Sequence, residues 1–137
     1  MSALRAIVAL AFAGVVAGCG SLGGAKEDPL DVLPKDYRNE IKLLLQQTLD
    51  DPTNVKEAGI TEPAINPALP IQRYYSCVKY NAREVGTRRY KGVVEKVAVY
   101  HEGRLNQLIE PPAGMCAKMA YKAFPEIEKM CLGTKCD

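Results

Sequence analysis

Few side chains in this sequence are nucleophiles or soft metal ligands: five cysteines, Cys19, Cys77, Cys116, Cys131 and Cys136, and one histidine, His101. Such a set could ligate zinc, exchange disulfides or cross-link the fold. The spacings argue against the first two. Cys131 and Cys136 bracket four residues rather than the commonest two, no Cys-x-x-Cys occurs, and His101 begins the turn-like stretch His101-Glu102-Gly103-Arg104. A Ser/His or Cys/His pair would have to recruit that one histidine, and Ser76 lies inside a strand-like run. There is no Gly-x-Ser-x-Gly and no phosphate-binding glycine loop. Glu84, Glu95 and Glu102 could do acid–base work, but nothing in their spacing pairs them. The expectation is a protein without a catalytic, metal or cofactor site.

Cys19 has a separate context. Met1 to Arg5 is a short cationic start, followed by the apolar run Ala6–Val16 and by small residues leading into Cys19. This is the three-part layout of a secretory signal peptide covering residues 1–18. A membrane span is the rival, since no charge occurs between Arg5 and Lys26. Against it, Gly14, Gly18, Gly20, Gly23 and Gly24 crowd the second half, each costing a helix roughly 1 kcal/mol relative to alanine.

Val16-Ala17-Gly18-Cys19 resembles a bacterial lipobox: aliphatic, small, small, cysteine. The resemblance implies cleavage before Cys19, a diacylglyceryl thioether on its sulfur and an acylated amine. One acyl chain binds a membrane only reversibly, at about 0.8 kcal/mol per buried CH₂, whereas several on one residue hold. Gly20 in place of an aspartate implies, within the same family, sorting to the outer membrane, facing the periplasm. Residues 19–35 then read as a lipidated cysteine and a flexible tether, Gly-rich at first and carrying Pro29 and Pro34 later.

Lipidation of Cys19 leaves four cysteines in an oxidising compartment, enough for two disulfides in any of three pairings. Cys77–Cys116 with Cys131–Cys136 is favoured, because Gly133 offers a chain reversal between the last two.

The elements that position these groups form one α+β domain over residues 36–137. Tyr37, Ile41, Leu44, Leu45 and Leu49 recur at helical spacing, with Asp36 as a cap and Asp51-Pro52 as a stop. A short strand is possible near Val55. Arg73–Ala82, Val93–Tyr100 and Leu105–Glu110 read as strands. Their connections are short, and Gly103 suits positive φ in the second. The expected architecture is an N-terminal helix on a three- to four-stranded antiparallel meander, with short C-terminal helices over Gly114–Phe124 and after Pro125.

Tyr74-x-x-Cys77-Val78-Lys79-Tyr80-Asn81-Ala82-Arg83, the Tyr90-x-Gly92 loop and Val97-Ala98-Val99-Tyr100, behind a helix ending in Asp51-Pro52, are similar to a group of small uncharacterised envelope lipoprotein domains. The similarity spans roughly residues 36–124 and implies a fold but no activity.

Charge is unevenly distributed. Residues 26–62 hold five Lys/Arg against nine Asp/Glu, and residues 71–104 hold eight against three. Such polarity suggests an oriented contact. Arg83, Arg88, Arg89, Lys91 and Tyr90 could contact an anionic partner: an envelope protein, peptidoglycan or lipopolysaccharide, with nucleic acid excluded by compartment. Alternatively, tyrosines suit strands and cations keep strand ends soluble. Two function classes follow: a non-enzymatic, lipid-anchored interaction or structural module, or a periplasmic ligand-binding or cell-wall-hydrolase inhibitor lipoprotein.

Overall fold

The computed structural model describes residues 32–66, 72–134 and 136. The signal-peptide and Cys19 lipidation readings, and most of the tether, lie outside the described residues. No helix among the described residues is long and apolar enough to cross a membrane.

Helix α1 (Tyr37–Thr48) buries Ile41 and Leu45, two of the residues its periodicity points inward. Asp36 stands at the N-cap, but its carboxylate accepts no helix amide and instead takes the Asn39 side chain at 3.2 Å. At the other end the Leu49 amide donates to the Leu45 carbonyl, while its ψ of 139° turns the chain extended. Asp51-Pro52 therefore opens a strand just beyond the helix.

Among the described residues six strands form one antiparallel sheet: β1 (Asp51–Ile60), β2 (Ala64–Ile65), β3 (Tyr74–Arg83), β4 (Tyr90–His101), β5 (Arg104–Ile109) and β6 (Lys122–Ala123). Their order is β5-β4-β3-β1-β6, with β2 also on β3. The one-turn helix α2 (Pro125–Glu128) follows. The α+β class and the β3-β4-β5 meander are as expected, but the sheet is wider. The anticipated short strand near Val55 is a ten-residue strand seated beside β3.

Alternation divides the sheet into two faces. Val78, Tyr80, Ala82, Ala98 and Tyr100 face α1 and α2, packing with Ile41, Leu45, Phe124, Ile127 and Met130. Tyr75, Cys77 and Val97 face the other way, under the segment that carries Met115, Cys116 and Met119. That segment corrects a second expectation. Instead of a helix over Gly114–Phe124, successive three-residue turns run from Met115 to Pro112, Ala117 to Gly114 and Met119 to Cys116. Positive φ at Gly114 (77°) and Lys118 (64°) interrupts any helix there, and a disulfide pins the turns to the sheet. The pairs are Cys77–Cys116, fully enclosed, and Cys131–Cys136, near the end of the chain.

Candidate functional site at the β3–β4 hairpin

β3 and β4 pair in constant register from Tyr75 opposite Val99 to Asn81 opposite Val93, then shift register before Arg83 opposite Tyr90, leaving residues 84–89 as the connecting loop. The loop closes on itself. The Glu84 amide donates to the Arg89 carbonyl at 2.9 Å, and the Thr87 hydroxyl accepts the Arg89 amide and donates to the Glu84 carboxylate, each at 3.3 Å. Gly86 (φ 83°) and Arg88 (φ 54°) carry the chain through the left-handed region.

The base of the hairpin is tied to β1, which is itself irregular. Asn54 (φ 53°) and Glu57 (φ 54°) sit beside two register shifts against β3, the mark of bulges. The Tyr90 hydroxyl donates to the Asn54 carbonyl at 2.9 Å. Asn81 spans two neighbouring strands: its amide nitrogen donates to the Glu57 carboxylate at 2.8 Å, and its oxygen accepts the Gly92 amide at 3.0 Å. Asn81, Tyr90 and Gly92, prominent in the resemblance, thus hold one corner of the sheet together, while Cys77 anchors its back face.

Only part of the nominated set faces outward. Arg83 is largely enclosed, 3.0 Å from Asp51, and donates to the Thr53 hydroxyl at 2.8 Å. Burial by itself would raise the Asp51 pKa. The Thr53 hydroxyl and amide, and then Arg83, outweigh it and hold that carboxyl below its ordinary value. Lys91 pairs with Asp50 at 3.0 Å, and this contact raises the lysine pKa. The Tyr90 ring lies under the Lys56 ammonium at 4.7 Å, so both its face and its hydroxyl are engaged. Arg83 and Tyr90 therefore belong to the framework, while Lys91 is exposed and held in a surface ion pair. Arg88 and Arg89 differ: both are exposed, and neither guanidinium has an ion pair among the described residues. Beside them Val85 is 66% exposed.

The same pairing dissolves much of the charge polarity read from the sequence. Asp51–Arg83, Asp50–Lys91 and Glu40–Arg104 each join the acidic first segment to the basic second one. Lys96 contacts Glu110, and the Lys79 ammonium sits over the Tyr121 ring at 4.8 Å. Among the described residues Arg88 and Arg89 at the tip are in no ion pair, and neither are Glu84 in the same loop or Lys79 and Glu95 on the strands.

Other concavities carry less. A groove of about 490 Å³ between α1 and β5 is lined by Leu43, Leu44 and Leu105, and its charged pair, Glu40 and Arg104, is joined. A smaller one of about 180 Å³ holds Tyr80, Val94, Arg83, Lys91 and Lys96, each cation already partnered. His101 is exposed, 4.0 Å from Glu102, in a β4–β5 turn where Glu102 (φ 51°) and Gly103 (φ 74°) are both left-handed. Among the described residues no three His, Cys, Asp or Glu side chains gather as a metal site.

The sequence reading did not single out Val85, Asn54, Lys56 and Glu57. Asn54 had a signal, because asparagine adopts the left-handed conformation more readily than most residues. Glu57 had none. No protein-family profile, curated protein or solved structure matches the chain.

Proposed function

We propose that this protein is a lipid-anchored component of a bacterial envelope, held through Cys19, most consistent with the outer membrane and the periplasmic side, and that it works without catalysis as an interaction or structural module. The observation that carries this reading is the exposed Arg88–Arg89 pair on a braced loop whose neighbouring cations are engaged within the fold. A preordered loop loses little conformational freedom on contact, which favours binding. The lipobox-like Val16-Ala17-Gly18-Cys19 supports the anchor.

A second reading, an inhibitor of cell-wall hydrolases, gains support from the narrowness of the tip, a six-residue loop suited to entering a cleft. Labelling with radioactive palmitate tests the anchor: the wild-type chain incorporates label and Cys19→Ser does not. Label retained in Cys19→Ser contradicts the anchor. Assaying lysozyme-type enzymes with the full chain separates the two readings. The interaction module leaves their rate unchanged, whereas inhibition that disappears in Arg88→Ala/Arg89→Ala favours the inhibitor.

A further inference from the structure

Resting on residues 84–89 as a contact loop, the geometry points to an acidic patch on another protein as the partner, met at the end of the domain opposite the anchor.

The first ground is direction. A Cβ built on Gly103 would stand 2.7 Å from Val32 Cγ1, so the chain enters the domain beside the β4–β5 turn. The tip lies at the other end of β4, a strand of 12 residues and so roughly 35–40 Å along its length. A domain tethered at Val32 presents this tip away from its own attachment point.

The second ground is what the tip lacks. Sugar recognition uses exposed aromatic faces, yet Tyr75, Tyr80 and Tyr100 are buried and the Tyr90 ring is covered by Lys56. Anionic lipid is held by clusters of about four to eight cations. Here Arg88 and Arg89 have no ion-pair partner among the described residues, while Arg83 and Lys91 are paired with Asp51 and Asp50.

The third ground is what the tip offers. Each guanidinium carries donors in a planar fork that matches carboxylates two at a time. Val85 adds an exposed apolar contact next to them. Arginine is among the residues enriched at the centres of protein–protein contacts.

The test uses the full-length chain in native envelopes, with a photo-crosslinking amino acid at Val85 or, for comparison, at Leu33 near the anchored end. The expected Val85 adduct contains protein, is destroyed by protease, and maps to an Asp/Glu-rich stretch of the partner. It falls at least about fivefold in Arg88→Glu/Arg89→Glu and only partly in Arg88→Lys/Arg89→Lys, which keeps charge without the fork. The Leu33 adduct stays unchanged, which shows that the reversed variant is folded and in place. A Val85 adduct to lipid or glycan, a protein adduct indifferent to charge reversal, or no adduct at all overturns the proposal. Palmitate labelling of the same preparation reports on the anchor separately, so failure of that reading is distinguishable.

Discussion

At the residue scale, the decisive distinction is between cations that complete the fold and cations that face outward. Arg83 shows how the first kind works. Its guanidinium, Asp51 and Thr53 form a closed set of charge-assisted bonds at the start of β1. Asp51 has a depressed pKa in the folded chain, so its stabilising contribution is complete above its ordinary value of 3.8 and is lost as pH falls through the lower folded value. Asp51→Asn is therefore expected to lower stability near neutrality by about 1–3 kcal/mol, because Arg83 stays enclosed without its charge partner. The wild-type and variant curves then converge in acid. Urea titrations across the acid range check this, and a constant gap down to the lowest pH would contradict it. The sequence identified Arg83, Lys91 and Tyr90 as chemically distinctive, but not their engagement, which depends on residues 32 to 41 positions away.

At the element scale, the legible parts were those whose side chains keep a regular period. α1 follows its 3.6-residue repeat, and β3, β4 and β5 were recognisable from Tyr- and Val-rich runs and a tight turn. β1 was nearly invisible because Pro52 and left-handed residues at Asn54 and Glu57 break its alternation. The same irregularity has a structural use: it blunts the strand and supplies the carbonyl and carboxylate that hold the hairpin base. Residues 114–119 misled in the opposite way. Met115, Cys116 and Met119 have helical spacing, yet they cover the sheet from separate turns pinned by Cys77–Cys116.

This gives the two disulfides unequal weight. Cys77–Cys116 has a sequence separation of 39 and Cys131–Cys136 one of 5. Removing the first pair as Cys77→Ala/Cys116→Ala is expected to cost roughly 4 kcal/mol, and the second as Cys131→Ala/Cys136→Ala about 2 kcal/mol. Chemical denaturation of the two variants checks the order, and equal losses would contradict it.

At the scale of the whole molecule, a sequence that looks electrically two-sided folds so that the two segments partly neutralise each other. The acidic segment that includes α1 and β1 supplies counterions to the basic segment that includes β3 and β4. The Arg88–Arg89 tip is an exception on this hairpin, and it lies opposite the point where the chain enters the domain. Composition could reveal the excess of charge but not its cancellation, since cancellation depends on β1 lying beside β3.

The central claim is that this tip makes the functional contact. Native-gel sizing of the full-length protein in solubilised envelopes tests it most directly. Three forms are compared: wild type, Arg88→Glu/Arg89→Glu, and a charge-matched control at exposed sites elsewhere, Lys118→Glu/Lys129→Glu. The account predicts that wild type and control migrate together in a larger complex and that the tip variant migrates as the free chain. Identical migration of all three, or release of both charge variants alike, would contradict it.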